Sequence, residues 1–269
     1  MLKFFRNIRK TLLNEGKTSK YFKYAIGEII LVVIGILIAL QVNNWNECRI
    51  EQKKIKQYAK SLIDDLTNDI NMMKESRYQA QKKHEYIDSL RSYISQTPTT
   101  ELSSTFLWLV AHDIMYKPYN WHRSTLNELK SSGGLSYIIN DSLKKKIVAY
   151  ESFSNHLDED FEFDKSNSDK MDNLTTSIID LNSPYLSKIL EKEDTEDSVS
   201  FIFETEEYKL SIANDLKLIS QDEILIKKFV NTLIQIQGQY QIRAYKEMPR
   251  IMEDAYELIE LLKTEYLTY

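Results

Sequence analysis

The pattern of apolar and polar positions along this chain changes character once, sharply. Residues 25–42, AIGEIILVVIGILIALQV, are apolar almost without interruption, and a run of that length reads as a membrane-spanning helix. Beyond it the pattern becomes periodic. Ile55, Ala59, Leu62, Leu66, Ile70 and Met73 recur at steps of three and four, flanked by Tyr58 and Ile63, which marks a helix with one buried face. The stripe continues less cleanly through Ala80, His84, Ile87, Leu90 and Ile94. No glycine or proline lies between Gly35 and Pro98, so nothing local separates the two patterns. The reading is a transmembrane helix over 24–43 that runs on into a long helix, roughly 45–95.

Residues 95–100 read as a loop. A helix follows over 101–116, ELSSTFLWLVAHDIMY, apolar on most sides and so expected to be the most buried of the domain. After a turn at Lys117–Asn120, Ser124 or Thr125 is placed to cap a short helix, with Glu128 reaching back, and Gly133 and Gly134 to end it. Residues 141–179 read as one or two helices, with Leu143, Ile147 and Tyr150 beginning a stripe. Residues 190–200 form a charged loop, and 199–203 a lone strand or a helix boundary. Helices then fit 205–219, 221–246 and 250–264, the last lined by Ile251, Ala255, Leu258, Ile259 and Leu262. The fold class is mainly α: an N-terminal transmembrane helix running into a long helix, followed by an extramembrane helical bundle-like domain. The organisation is a basic cytoplasmic segment at 1–23, the span at 24–43 and a helical extramembrane domain at 44–269. The stripe of the long helix serves either a coiled-coil partner or the chain's own later helices. The second is preferred, because those helices need something to pack on.

The flanks of the span support its assignment. Tyr21, Tyr24 and Trp45 are placed as anchors at the two interfaces, and a helix from Tyr24 to Trp45 rises about 30 Å, the thickness of a bilayer core. Residues 1–24 carry seven basic groups (Lys3, Arg6, Arg9, Lys10, Lys17, Lys20, Lys23) against Glu15. The twenty residues after Leu40 hold Arg49, Lys53, Lys54, Lys56 and Lys60. This modest bias orients the N-terminus to the cytoplasm and the large domain away from it. Residues 3–13 place Phe4, Ile8 and Leu12 on one helical face among basic residues, which fits either an interfacial helix or a tail that serves topology alone. No Ala-x-Ala-like cleavage site follows the span, so it reads as an uncleaved signal anchor. Inside it, Glu28, Gly35 and Ala39 fall on one face. Gly35 and Ala39 form the small-xxx-small spacing that lets helices approach, and Glu28 is either part of that association seam or a lone interfacial glutamate.

The segment Phe4–Arg49 carries a resemblance. Its FRNIR start (Phe5–Arg9), its KYFKYAIGEI entry (Lys20–Ile29) and its ALQVNNWNE exit (Ala39–Glu47) resemble the uncharacterised Bacteroidota membrane proteins grouped as a domain of unknown function, DUF6090. The block STLNELKSSGGLSYIIN at 124–140 is similar to a segment of that family's outer domain. Cys48 departs from the resemblance, which leads one to expect a polar residue such as Glu or Arg at that position. The resemblance implies a single-span protein of the bacterial inner membrane, where the orientation read from the basic flank puts the main domain in the periplasm, and it implies no activity.

Composition narrows the function without choosing it. The net charge is −5, and the basic N-terminal segment leaves net −11 on the residues after 24, so a duplex-binding role is disfavoured and no nucleic-acid partner is expected. One cysteine, Cys48, excludes an intramolecular disulfide and a cysteine-rich metal site. No H-E-x-x-H, G-x-S-x-G or glycine-rich nucleotide loop occurs, so no catalytic residue and no cofactor is nominated. His156 and Asp160, four apart, make a weak divalent-metal pair, but no metal site is nominated. Asp64, Asp65, Asp69 and Glu75 read as a solvated face. Trp108 and Trp121, with Tyr116 and Tyr119, are either core packing or the walls of a ligand pocket. The expected partners are the lipid bilayer and either a second copy of the chain or another membrane protein. Three functions stay open: a membrane-anchored interaction or scaffold protein, a periplasmic ligand-binding sensor signalling through a membrane partner, and an enzyme with no recognisable motif. An exposed apolar stripe along 55–94 would favour the scaffold, a concave aromatic pocket the sensor, and convergent buried titratable groups the enzyme.

Overall fold

A computed structural model describes residues 18–114, 117–182 and 217–267, together with Leu186, Glu206, Lys209 and Leu210. The chain is mainly α-helical, with no sheet among the described residues. It divides into two compact units, Met1–Tyr58 and Ala59–Tyr269. The interfacial-helix reading at 3–13, the lone-strand reading at 199–203 and most of the helix expected at 205–219 lie outside the described residues.

Helix α1 is a single element, Thr18–Gln96. It runs where neither proline nor a local cap interrupts it. It stops where Pro98 disfavours helical geometry in the preceding residue, and a 3-10 turn, Thr99–Glu101, follows. In the first unit its apolar stretch has a mean hydropathy of 2.6, and none of it is buried. Every large hydrophobic side chain from Phe22 to Val42 is between 47% and 63% exposed. A helix that is apolar on all sides and covered on none needs an apolar solvent, and its backbone groups are satisfied internally, as a bilayer demands. It is the one described helix long and apolar enough to cross a membrane.

The second unit is a helical bundle. The α1 residues Ala59, Leu62, Leu66, Ile70, Met73, Ala80, Ile87 and Leu90 are buried, so the stripe is consumed inside the chain's own domain. Its partners are α4 (Asp141–Ile178), α5 (Glu223–Ile242) and α6 (Met248–Tyr266), with α4 packing on both α5 and α6. The short helices α2 (Ser104–Asp113) and α3 (Ser124–Ser131) complete it. As expected, α2 is buried on nearly all sides, from Ser104 through Ala111. Its start is displaced to Ser103, whose hydroxyl accepts from Phe106 N and whose own amide donates to the Tyr93 hydroxyl at 2.8 Å. Residues 141–178 form one helix, capped by the Asn140 side chain through Ser142 N and Leu143 N. Gly133, at φ 71°, takes the left-handed position that ends α3.

Two expectations are corrected here. The capping box at Ser124, Thr125 and Glu128 does not form: α3 has no side-chain cap of its own. Asp65 of α1 accepts from Thr125 N at 3.1 Å and from the Ser124 hydroxyl at 3.4 Å instead. A carboxylate from another helix supplies both the acceptor and the negative charge that a helix N-terminus favours. The gap expected between the helices at 221–246 and 250–264, where Pro249 lies, is also absent. Residues Arg243–Glu247 form a π turn that joins α5 to α6 without interruption. Met248 N donates to Arg243 O, five residues back. The next such bond would need Pro249 N–H to reach Ala244 O, and proline has no N–H. Arg77 Nε of α1 donates to that carbonyl at 3.0 Å. A proline inside a helix is accommodated by a wider turn and an outside donor.

Candidate functional site

The residues with the densest polar connections gather around segment 117–123, which lies on the bundle between α2 and α3. The cluster starts from Asp69. Asp65 and Asp69 are four apart on α1 and share a face with the buried stripe. Asp69 is only 2% exposed, so it does not belong to a solvated face. The sequence reading missed it because an isolated acidic residue at a stripe position is indistinguishable from an edge residue without its partners. Those partners come from far along the chain. Oδ1 accepts from His122 N at 2.8 Å and lies 3.1 Å from His122 Nδ1. Oδ2 accepts from the Tyr150 hydroxyl of α4 at 2.9 Å. A buried carboxylate is tolerated when its lone pairs are filled in this way. Burial, reinforced by Asp69, raises the Tyr150 pKa, so its phenol stays neutral and donates.

The same segment is fastened to α4. Arg123 pairs with Asp158 at 2.8 Å and donates to the Ser154 hydroxyl at 3.1 Å. Trp121 Nε1 donates to Asp158 at 2.9 Å, and the Arg123 guanidinium lies over the Trp121 ring, 5.6 Å from its centroid. At the other end of the segment, the Tyr119 hydroxyl accepts from Arg243 at 3.1 Å. Arg243 also pairs with Asp164, and both side chains are almost fully buried. Burial pushes the Asp164 carboxyl up to about 6 even though Arg243 pulls the other way. Glu247 is also raised, first by burial and further by Asp160. Segment 117–123 thus carries bonds to α1, to α4 and to the π turn.

Two small clefts accompany these clusters. One is lined by Asp65, Asp69, His122, Arg123, Tyr150 and Ser154, with Leu62, Leu66, Leu126, Ile147 and Leu258 as its apolar wall. Its volume is about 20 Å³, counted as space for the centres of water molecules. The other lies beside Asp164 and Arg243 and is about 10 Å³ on the same measure. Such volumes hold a water or two rather than a drug-sized ligand. His122 on Asp69 has the form of an oriented imidazole. Both oxygens of Asp69, however, are engaged by the amide, the ring and Tyr150, which makes the group a structural clamp.

The residues nominated from sequence separate. Trp108 belongs to the buried core and is stacked on His112 with centroids 4.9 Å apart. Trp121 stands in the polar cluster, and the two tryptophans line no common cleft among those described. In the first unit, Tyr24 and Trp45 are exposed, and Arg49 lies over the Trp45 ring at 5.8 Å. The Tyr21 side chain lies outside the described residues. Glu28 is partly exposed and Ala39 exposed. A side chain added at Gly35 would meet nothing within 4 Å.

Comparison with known proteins adds one match. Residues 28–101 match the model of a family of unknown function, DUF6090. The match covers most of the apolar stretch, the rest of α1 and the 3-10 turn after it. No curated protein and no solved structure matches the chain.

Proposed function

We propose that this chain is a membrane-anchored interaction or scaffold protein of the bacterial inner membrane, of the uncharacterised single-span kind that its first segment resembles. The observation that carries the reading is the apolar stretch from Phe22 to Val42, uncovered on every side, on the same helix that supplies a buried stripe to a bundle. The first part suits a bilayer. The second requires a folded domain. Because the stripe along 59–90 is spent inside that domain, self-association falls to the span or to the bundle's outer surface rather than to a coiled coil along α1. The two clefts described, beside Asp69 and beside Asp164, are water-sized, so neither of them is offered as a ligand site.

The orientation follows from the basic residues before the span, which exceed those after it, and puts the bundle in the periplasm. A reporter fused after Tyr269 tests this: periplasmic activity is expected, and activity confined to the cytoplasm would reverse the topology. Glu28, Gly35 and Ala39 form the proposed association seam. Substituting Gly35→Ile has nothing to collide with inside the chain, so its effect on association is direct. Crosslinking of full-length chains in membranes should yield a dimer for the natural sequence and at least several-fold less for Gly35→Ile. Equal crosslinking would remove the seam. Native co-purification from the same membranes tests the role itself: recovery of a stoichiometric protein partner or of a homo-oligomer is expected, and a chain recovered alone would reject it.

A further inference from the structure

We infer that the bundle carries a binding site for one divalent first-row transition-metal ion, formed by His156 and Asp160 of α4 and Glu247 of the π turn. Residues four apart on a helix share a face, and His156 Nε2 lies 3.6 Å from Asp160 Oδ2. Glu247 comes from a different element, and the π turn places its carboxylate so that all three donor atoms lie within 4.8 Å of one another. Donors bonded to one zinc-sized ion at about 2.0–2.1 Å sit roughly 3.3 Å apart. His156 and Asp160 are already close to that spacing, and a rotamer adjustment of the long Glu247 side chain supplies the remainder.

The electrostatics point the same way. Asp160 and Glu247 are held close together although they repel. Glu247 is half-buried, yet among the described residues it accepts no hydrogen bond and makes no ion pair. Arg243, whose charge acts most strongly on it, also pairs with Asp164 and donates to Tyr119. Asp164 and Glu247 therefore share one guanidinium, and a divalent ion held by His156, Asp160 and Glu247 adds positive charge where the carboxylates gather. The His156 ring is oriented by stacking on Phe153, with centroids 6.1 Å apart. One nitrogen and two oxygen donors suit zinc, cobalt(II) or manganese(II), whereas magnesium and calcium prefer all-oxygen shells. Three protein ligands leave further positions for water, the arrangement of open rather than closed sites.

The alternative is a surface ion pair between His156 and Asp160 with Glu247 as a bystander. Calorimetric titration of the full-length chain in detergent with ZnCl₂ at pH 7.5 separates the two. The site requires uptake of one zinc per chain, not displaced by excess magnesium, and weakened at least tenfold by His156→Gln and by Glu247→Gln. Zinc should also raise the thermal midpoint of the natural chain and leave that of His156→Gln unmoved, while the metal-free midpoints of the two stay alike because His156 is exposed. Absence of one-to-one uptake, or uptake unchanged by both substitutions, overturns the inference.

Discussion

Replacing Arg243 with methionine costs the folded chain about 3–5 kcal/mol at pH 7.5 and markedly less at pH 5. The cost arises from what is left behind. Asp164 is buried with Arg243 as its ion-pair partner, and removing the guanidinium strands a carboxylate in a low-dielectric site. With Arg243 present the Asp164 carboxyl already sits at about 6 against an ordinary 3.8. Its contribution to stability is therefore fully present below 3.8 and is lost as the pH rises through 6, since the folded state binds the proton more tightly. Without Arg243 the main cause lowering that pKa is gone, so it climbs further. At pH 5 the stranded group is neutral and the penalty shrinks. Denaturation of the detergent-solubilised chain at the two pH values measures this. An equal loss at both would mean that Arg243 acts through its packing on Tyr119 rather than through the charge of Asp164. The double substitution Asp164→Leu, Arg243→Met should recover most of the loss, because an apolar pair leaves nothing unpaired.

Asp69→Ala is the second severe substitution, expected to cost roughly 3–5 kcal/mol as buried donors lose a charged acceptor at about 1–3 kcal/mol each. Tyr150→Phe removes only one of those donors and should cost about 1–2 kcal/mol in the natural background. The two changes meet at one contact, so they should not add. In the Asp69→Ala background, Tyr150→Phe should be neutral or slightly favourable, because it deletes a hydroxyl that has lost its acceptor. Fluorescence-monitored denaturation of the four proteins closes the cycle, and strict additivity would mean that Tyr150 and Asp69 do not depend on each other. Because Asp69 also holds His122, Asp69→Ala should loosen segment 117–123 and raise the exposure of Trp121 to quencher.

What the sequence made legible was whatever is written in local order. The span is an unbroken apolar run, and the Ile55–Leu90 stripe has a helical period, so both appear without any knowledge of partners. Gly133 announced the end of α3 through its own backbone freedom. The features that escaped are those settled by residues distant in the chain. Asp69 reads as polar, and only His122 and Tyr150 show that it is buried. Ser124, Thr125 and Glu128 spell a capping box, yet Asp65 reaches the Thr125 amide first, and a local motif yields to a tertiary acceptor. Pro249 signals a break, but Arg77 on α1 takes the carbonyl that the proline cannot serve, and the helix continues. At the candidate metal cluster, the His156–Asp160 spacing was visible as a pair, whereas Glu247 lies 87 positions beyond Asp160 and enters only through the bundle. The nominated tryptophans illustrate the limit of composition: two aromatic residues 13 positions apart were equivalent on paper, and the fold made one core and the other part of a polar clamp.

The external cap on α3 bears on how the domain assembles. Eight residues are too few to hold a helix in water on their own, since nucleation is costly and short helices are marginal. The acceptor that closes the first turn of α3 sits 60 residues upstream, beyond a chain loop whose ends must first be brought together at an entropic cost. α3 thus depends on α1 for its cap: the acceptor at its first turn is supplied only when the long helix is formed and the loop between them has closed. The segment 124–131 is therefore expected to order late rather than early, and protection of its amides from exchange would report whether α1 from Ala59 onward has found its place in the bundle.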